Sequence, residues 1–186
     1  MADEVWLVRH AETEWSRTGK HTGRTDIPLT DEGREVARRL RPRLEGHAFA
    51  LVLCSPLSRA RETAQLAGLD CSALRDDLME WDYGDYEGLT TPEIRERRPD
   101  WYLWRDGTPG GEGPDDVAAR CDRVIAEARA VDGDVALVAH GHILRALGAR
   151  WVDERASFGG RLHLGTGSIS VLGYEREVSS ISRWNG

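Results

Sequence analysis

Three short apolar runs, each followed by a turn and then by a helical pattern, constrain the fold of this chain more than any other feature. The runs are residues 5–8, 49–54 and 135–139. Uninterrupted apolar runs of this length are typical of strands that are buried on both faces of a parallel sheet. Because helical segments separate them, we predict a three-layer α/β/α sandwich with a mainly parallel central sheet.

Capping signals and prolines place a helix on each side of the second apolar run. Thr30 is an expected N-cap, and Pro42 predicts that the helix after Thr30 kinks or ends one residue before the proline. Ser55 followed by Pro56 predicts a helix that begins at this pair and stops at Gly68.

The rest of the chain predicts two more helices and a hairpin. The helices are expected from about residue 114 and directly after Gly141. Residues 168–172 alternate between polar and apolar side chains, as a strand does, and residues 178–184 are expected to pair with them. The sequence shows no internal repeat and no interdomain linker, so we expect residues 1–186 to form a single domain.

The charge and the composition argue against several classes of protein. The net charge is −7, and no basic run contains interleaved aromatic residues, so we expect no nucleic-acid partner. Lys20 is the only lysine and is followed by His21, which excludes the G-x-x-x-x-G-K-[ST] motif of a P-loop. The longest apolar run, residues 48–54, is far shorter than the roughly 20 residues of a membrane helix, so we expect no membrane partner.

The cysteines bear on the cellular compartment. Cys54, Cys71 and Cys121 are widely spaced and form no C-x-x-C pair, so we expect reduced thiols and no disulfide framework. Cys54 and Cys121 occupy apolar positions, where a packing role is expected. The acidic N-terminus, residues 1–4, carries no apolar signal segment. We therefore predict a cytoplasmic protein.

Arginines and histidines follow the three buried strands. Arg9 and His10 end the first strand, Arg59 lies one turn into the helix after the second, and His140 ends the third. The carboxyl ends of parallel strands meet at one edge of a sheet, where helix N-termini add N–H donors. The planar guanidinium group suits phosphate better than it suits sulfate or carboxylate. The sequence therefore predicts a phosphate site at this edge.

Each of these residues also has a simpler interpretation. An Arg-His pair after a strand is more often a surface or capping feature, and Arg59 alone is typical of a solvated helix charge. His140 and His142 form an H-x-H pattern that occurs in zinc sites, but no H-x-x-x-H motif, cysteine pair or spaced carboxylate accompanies it. The coincidence of all three features at strand ends favours the phosphate site. We expect neither a metal nor another cofactor.

Residues 7–15, with the sequence LVRHAETEW, resemble the signature of the histidine phosphatase (phosphoglycerate mutase-like) superfamily. Ala11 stands where the family usually has glycine. The resemblance covers most of the chain in the family's order. The other matching segments are residues 22–23, 29–33, 54–60, 80–88, 111–112 and 138–141.

The resemblance implies a metal-independent phosphomonoesterase. His10 would attack the phosphorus atom and carry the phosphoryl group as phosphohistidine. Arg9, Arg59 and His140 would bind the non-bridging oxygens. Glu80 would protonate the leaving oxygen and then take a proton from the attacking water, which predicts the best activity on the acidic side of neutral pH.

The resemblance also implies further substrate contacts. The segment around Ser16, Thr22 and Gly23 corresponds to the family's substrate-contacting loop, although many members have asparagine where Ser16 stands. Gly141 accompanies the second histidine, and His142 either faces the substrate or caps the following helix. Asp82 is the alternative acid. His21, His47 and His163 receive no role.

Aromatic residues offer a second part of the predicted pocket. Trp81, Tyr83, Trp101 and Trp104 either line a pocket for an organic leaving group or pack in the core. Residues 80–90 are similar to two subgroups of the superfamily, the broad-specificity acid phosphatases and the sugar bisphosphatases. The expected substrate is therefore a small phosphorylated metabolite such as a sugar phosphate.

Hydrolysis competes with phosphoglycerate mutase activity and with a catalytically silent phosphate-binding module. Mutases of this family carry an insertion with a lysine and an arginine pair, whereas residues 88–110 are short here and contain no lysine. Arg105 is followed by Asp106 where the pair would align, so an acid replaces a base. We expect a phosphatase, with Arg105 left as a contact for a second anionic group. Family analogy alone suggests a homodimer.

Overall fold

A six-stranded sheet forms the middle layer of the computed structural model, which describes residues 3–186. Met1 and Ala2 of the acidic N-terminal segment lie outside the described residues. The strands are β1 (Val5–Arg9), β2 (Phe49–Cys54), β3 (Ala73–Leu74), β4 (Asp134–Ala139), β5 (Ile169–Glu175) and β6 (Val178–Arg183). Their order is β3-β2-β4-β1-β5-β6, with the first four strands parallel and β5 and β6 antiparallel.

Within residues 3–186, seven α-helices surround the sheet. They are α1 (Glu14–Thr18), α2 (Asp31–Leu44), α3 (Ser58–Leu66), α4 (Thr91–Arg97), α5 (Leu103–Asp106), α6 (Pro114–Arg129) and α7 (Gly141–Trp151). Short 3-10 helices occupy residues 76–78, 84–86 and 156–161. Within residues 3–186, no helix combines the length and the apolar character needed to cross a bilayer.

The central strands are buried on both faces, which confirms the predicted three-layer arrangement. Val135 and Leu137 of β4 pack in one hydrophobic cluster with residues of α6 and α7, whereas Ala136 and Val138 pack in another with residues of α2 and α3. All four side chains are buried. Two apolar faces on one strand explain why its sequence shows no polar alternation.

Helix α2 corrects the prediction that Pro42 ends or kinks its helix one residue early. The helix begins after Thr30, whose hydroxyl accepts a hydrogen bond from the N–H of Gly33, and it continues through Pro42 to Leu44. Pro42 lies in the exposed last turn, and its fixed φ is helical. Because proline has no N–H, only one backbone carbonyl of the helix loses its hydrogen bond, and solvent can reach that carbonyl. Leu40 and Leu44 are buried and hold this turn against the sheet.

Helix α3 begins at Ser58, three residues after the predicted N-cap Ser55. The Asp26 carboxylate accepts hydrogen bonds from the N–H and the hydroxyl of Ser58, at 2.9 and 2.8 Å. The capping group therefore comes from a distant segment, which local sequence signals do not reveal.

The cysteines differ from the prediction of reduced thiols. Cys54, at the end of β2, and Cys71, just before β3, form a disulfide with a Cα–Cα distance of 5.9 Å. The parallel pairing of β2 with β3 brings the two residues together, although 17 positions separate them in the sequence. Cys121 is free and buried, in agreement with its expected packing role.

Candidate active site

A cavity of about 180 Å³ opens beside the carboxyl end of β1. It contains seven of the predicted site residues and three that were not predicted. Its lining consists of Arg9, His10, Ser16, Gly19, Lys20, His21, Thr22, Glu80, Tyr83 and His142. Drug-sized ligands occupy roughly 300–1,000 Å³, so this cavity suits a small metabolite.

His10 is held at the bottom of the site by its backbone and by one ring nitrogen. Its N–H donates to the carbonyl of Ala139 on β4 at 2.9 Å, and its carbonyl accepts from the N–H of Gly167 at 3.0 Å. Nδ1 donates to the carbonyl oxygen of Ala11 at 2.7 Å. This bond fixes the tautomer in which Nε2 carries the free lone pair.

The electrostatic surroundings keep the His10 ring neutral. Burial lowers the pKa of His10 well below 6.5, and the nearby positive charges of Arg59 and Arg9 lower it further. A neutral imidazole is a nucleophile, whereas an imidazolium is not. The ring is therefore ready to attack without losing a proton first.

Arg9 presents a buried guanidinium with unused donor capacity. Its Nη1 donates to the carbonyl of Leu164, but its buried Nε has no hydrogen-bond partner among residues 3–186. The guanidinium lies over Gly141, where an added Cβ would come within 3.1 Å of the Arg9 Cζ. Gly141 thus leaves room for Arg9, and an unpaired buried donor is the group that an anionic ligand would satisfy.

Arg59 and His140 lie behind the cavity lining. Arg59 is fully buried, and its Nε donates to Nδ1 of His140 at 3.1 Å. His140 Nε2 therefore carries the proton and donates to the hydroxyl of Ser55 at 2.7 Å. The centroids of the His10 and His140 rings are 5.0 Å apart.

The remaining donors of Arg59 hold the loop of residues 22–25. Its two Nη atoms donate to the carbonyls of Thr22, Gly23 and Thr25, at 3.2, 2.9 and 2.9 Å. Thr22 lines the cavity, so Arg59 shapes the cavity wall through this loop. The predicted role as a direct phosphate ligand stays a prediction.

Glu87 binds the same loop from its N–H side, a contact that sequence reasoning missed. Its carboxylate accepts from the N–H groups of Gly23 and Thr25, at distances between 2.9 and 3.0 Å. A Cβ on Gly23 would lie 2.5 Å from the carbonyl oxygen of Trp81 and 2.7 Å from a Glu87 oxygen. Only glycine fits here, and it positions the loop without lining the cavity itself.

Glu80 is fixed by backbone donors at the start of α7. One carboxylate oxygen accepts from the N–H groups of Trp81 and Ile143, and the other accepts from His142, all at 2.9 Å. Asp82, the alternative acid, is not among the residues that line the cavity. Its carboxylate accepts from the N–H of Gly84 and lies 3.5 Å from the guanidinium of Arg24.

A buried ion pair supports the segment that carries Glu80. Arg120 donates through Nε and Nη2 to the carboxylate of Glu112, at 2.7 and 2.8 Å. Its Nη1 also donates to the carbonyls of Asp77 and Met79, at 2.8 Å each. Glu112 in turn accepts from the N–H of Asp82 at 2.8 Å. Backbone on both sides of Glu80 is thus held in place.

Two further histidines complete the wall. The hydroxyl of Tyr83 and Nδ1 of His142 share a hydrogen bond of 2.6 Å, and His142 lines the cavity from the first turn of α7. The ring of His21 lies 4.7 Å from that of Tyr83. Burial lowers the pKa of His21 to about 4, and burial followed by the charge of Arg145 lowers that of His142 well below 6.5.

Several predicted residues do not reach the cavity. Arg105 is exposed and forms an ion pair with the adjacent Asp106 at 2.7 Å, which holds it elsewhere on the surface. Trp81, Trp101 and Trp104 pack in the hydrophobic core, so Tyr83 alone of the four aromatic residues lines the cavity. The hydroxyl of Ser16 faces the cavity while bonded to the backbone of Thr13.

The H-x-H pattern does not form a metal site. His140 Nε2 is bonded to Ser55 and His142 Nδ1 to Tyr83, so the rings do not share a ligand position. A different group, Glu4 with His47 and Asp134, brings three potential ligand atoms within 4.8 Å of one another. It lies at the amino end of β4, and its His47 Nε2 is bonded to Asp134 at 2.6 Å.

Comparisons with known proteins identify the family of this chain. A family model described as the histidine phosphatase superfamily (branch 1) matches residues 5–186. An acid phosphatase of Mycobacterium tuberculosis (strain ATCC 25618 / H37Rv) is 45% identical over 181 residues, covering 95% of this chain and 89% of the relative. A sedoheptulose 1,7-bisphosphatase of Saccharomyces cerevisiae is 37% identical over 180 residues, covering 78% of this chain and 66% of the relative.

A solved structure has the same fold. The product of open reading frame Rv3214 from Mycobacterium tuberculosis superposes with a TM-score of 0.94 at 43% identity, covering 100% of this chain and 98% of that one. Family model, relatives and structure all lead to one assignment. The chain belongs to branch 1 of the histidine phosphatase superfamily, and its enzymatic class is that of a phosphatase.

Proposed function

We propose that this phosphatase hydrolyses small phosphate monoesters through a phosphohistidine on His10. The observation that carries the proposal is the hydrogen bond from His10 Nδ1 to the Ala11 carbonyl, which leaves the Nε2 lone pair free in a cavity that Arg9 also lines. The small cavity and the names of the two phosphatase relatives support small phosphorylated metabolites, sugar phosphates among them, as substrates.

In the first step, the Nε2 lone pair of His10 forms a bond to phosphorus while the bond from phosphorus to the ester oxygen breaks. The protonated carboxyl of Glu80 gives its proton to the departing oxygen, so a neutral alcohol leaves. Arg9 neutralises charge on the non-bridging oxygens, for which its unpaired Nε is available. The lowered pKa of His10 keeps this lone pair free even in mildly acidic solution.

In the second step, water attacks the phosphorus atom of phosphohistidine. The Glu80 carboxylate takes a proton from this water, the P–N bond breaks, and its electron pair returns to Nε2. Inorganic phosphate leaves, and Glu80 is protonated again for the next cycle. Because Glu80 must begin protonated, we expect the best activity on the acidic side of neutral pH.

Arg59 and His140 act beside these groups. Both are fully buried behind His10, and the charge of Arg59 contributes to the lowered pKa of His10. The family resemblance alone implies that both bind the non-bridging oxygens once substrate enters, and we propose this role on that ground. Thr22, Ser16, Tyr83 and other lining residues would surround the organic part.

No specific observation favours the two alternative functions. Mutases of this family hold the second charged group with an inserted lysine and an arginine pair, whereas residues 88–110 contain no lysine and Arg105, where the pair would align, faces Asp106 on the surface. A silent binding module needs neither a free nucleophilic nitrogen nor a carboxyl group in the cavity, whereas His10 and Glu80 both line it.

The cellular predictions stand on the sequence alone. A cytoplasmic location, a homodimer and the lack of nucleic-acid and membrane partners stay predictions of the sequence. The disulfide between Cys54 and Cys71 contradicts the expected reduced thiols, which were one argument for the cytoplasmic location.

The test is the release of phosphate from p-nitrophenyl phosphate, with a chelator present, by the wild type and by His10→Ala. His47→Ala serves as the matched control, because His47 lies at the opposite end of the sheet. We expect release that survives the chelator, is kept by the control and is lost in His10→Ala. An acid-labile, base-stable phosphoenzyme should appear on rapid quenching of the wild type. Undiminished release by His10→Ala would refute the mechanism.

A further inference from the structure

Lys20 has a fixed backbone at the rim of the cavity. Its N–H donates to the carbonyl of Trp15 at 3.0 Å, and it forms an antiparallel bridge with Thr90. The next residue, His21, donates its N–H to the carbonyl of Leu89 at 2.8 Å. The side chain of Lys20 therefore starts from a defined point on the cavity wall.

The ammonium group of Lys20 forms no ion pair within 4.0 Å among residues 3–186, and the carboxylate that it influences electrostatically, that of Glu93, is already bonded to Thr90. Its Nζ lies 5.6 Å from the centroid of the Trp15 ring, and no carboxylate oxygen of residues 3–186 lies within 4.0 Å of it. By contrast, Arg17 and Arg24 on the same segment are each engaged by a carboxylate. Lys20 is thus a cation of this segment that the protein does not neutralise at short range.

The charges along the cavity wall explain why this cation matters. The three lining histidines are neutral near pH 7, because burial lowers each pKa below 6.5. The fixed charges that remain on the lining are Arg9, Lys20 and the carboxylate of Glu80. Arg9 is partly buried next to His10, whereas Lys20 is exposed at the rim. One phosphate bound beside His10 would occupy Arg9 and leave Lys20 without an ion-pair partner within 4.0 Å.

We infer that Lys20 binds a second anionic group of the substrate, a phosphate or a carboxylate, while the scissile phosphate lies beside His10 and Arg9. This inference rests on the proposed function and adds to it a preference for metabolites with two anionic groups. It moves the second anion contact from Arg105, as expected from the sequence, to Lys20. A lysine suits the role because its flexible stem delivers a point charge to anions of different shape.

The direct test measures ligand binding without turnover. Isothermal titration of His10→Ala and of the double variant His10→Ala with Lys20→Gln compares two matched pairs of ligands. Fructose 1,6-bisphosphate is paired with fructose 6-phosphate, and 3-phosphoglycerate with glycerol 3-phosphate. In at least one pair, we expect Lys20→Gln to weaken binding of the ligand that has two anionic groups about five- to tenfold, and binding of its partner less than twofold.

Two controls sharpen the result. Lys20→Arg keeps the charge and should bind within twofold of the parent, whereas Arg43→Gln changes the net charge equally on the exposed last turn of α2 and should change nothing. The effect should shrink in added potassium chloride, because an exposed ion pair is screened. A response in one pair alone identifies the second group as phosphate or as carboxylate.

An equal effect of Lys20→Gln on both members of both pairs, or no effect on any ligand, would overturn the inference. The outcome is separate from that of the proposed function, because binding to His10→Ala requires no turnover. Wild-type enzyme that releases no phosphate from p-nitrophenyl phosphate would refute the hydrolytic function while the binding comparison still decides the role of Lys20.

Discussion

The Nε of Arg59 donates to Nδ1 of His140 at 3.1 Å, while the Nη atoms of the same guanidinium hold three carbonyls of the loop of residues 22–25. One planar group thus orients the second histidine and shapes the cavity wall. A lysine side chain donates from a single nitrogen atom, so it cannot reproduce the hydrogen bonds that the planar guanidinium of Arg59 makes in several directions.

We therefore expect Arg59→Lys to lower kcat/KM for p-nitrophenyl phosphate about 100-fold, the loss that a displacement of roughly 1 Å at an active site produces. Amide hydrogen exchange should become faster at residues 22–25 and stay unchanged in β4. Near-normal kcat/KM in this variant would show that the loop contacts are dispensable.

If Glu80 protonates the leaving oxygen, the loss of kcat in a Glu80 variant should depend on the leaving group of the substrate. Glu80→Gln should lower kcat for an alkyl phosphate about 100- to 10,000-fold, because the alkoxide needs a proton, and should affect p-nitrophenyl phosphate less. Asp82→Asn, whose carboxylate faces Arg24, should keep kcat within about threefold of the wild type on either substrate. Steady-state kinetics on both substrates gives kcat for each variant. A larger loss of kcat in Asp82→Asn than in Glu80→Gln would show that Asp82 is the acid and that Glu80 is not.

The close packing around Gly23 predicts that no larger residue is tolerated at this position. In Gly23→Ala the new Cβ would meet the Trp81 carbonyl at 2.5 Å, so the loop must shift and kcat/KM should fall about 100-fold. In Gly113→Ala the corresponding neighbour is a flexible Asp116 oxygen at 3.5 Å, and activity should stay within about threefold. Equal activities of the two variants would contradict the tight fit at Gly23.

The buried histidines predict that the fold loses stability in acid. The pKa values of His10, His140 and His142 are lowered well below 6.5 and that of His21 to about 4. Below pH 6.5 the unfolded chain binds protons that the folded chain does not, so the free energy of unfolding decreases as the pH falls. Each such histidine contributes up to about 1.4 kcal/mol per pH unit.

Urea unfolding at pH 7.5, 6 and 5 checks this prediction. The midpoint should fall at each step, and His21→Asn should reduce the fall between pH 6 and pH 5. His163→Gln is the control, because His163 is exposed and lies outside the site. A midpoint that is constant over this range would mean that the histidines bind protons equally in the folded and unfolded states, so that folding does not lower their pKa values.

The Cys54–Cys71 disulfide predicts a stabilising cross-link. Because it closes a loop with a sequence separation of 17, Cys71→Ser should lower the free energy of unfolding by about 3 kcal/mol. Under native conditions iodoacetamide should label no cysteine, since burial raises the pKa of Cys121 to about 12. Native labelling of Cys71 without reductant would restore the prediction of free thiols.

The layers of the fold could be predicted from the sequence because burial leaves a strong pattern. A strand such as β4, with Leu137 on one face and Val138 on the other, has no solvent side and therefore no polar alternation. The apolar runs also predict where the strands end. Since the carboxyl ends of parallel strands lie at one edge of the sheet, the sequence predicts that Arg9, His10 and His140 lie near one another.

The cavity wall could not be predicted in the same way. Lys20 and His21 reach it through bridges to residues 89–90, a pairing of distant segments with no hydrophobic pattern of its own. Glu87 lies in the matching segment 80–88, but it acts on backbone N–H groups, which any sequence offers, so the segment did not reveal its role. The cap of α3 comes from Asp26, which is 32 positions away, whereas the local sequence predicts Ser55 as the cap.

Trp15 lies beneath the ammonium of Lys20 and packs against Gly88, where an added Cβ would come within 3.1 Å of its ring. A ligand anion that draws the ammonium away changes the electric field across this indole. The rim of the cavity thus contains an intrinsic fluorophore, whose emission would report occupancy of the site in real time without any label.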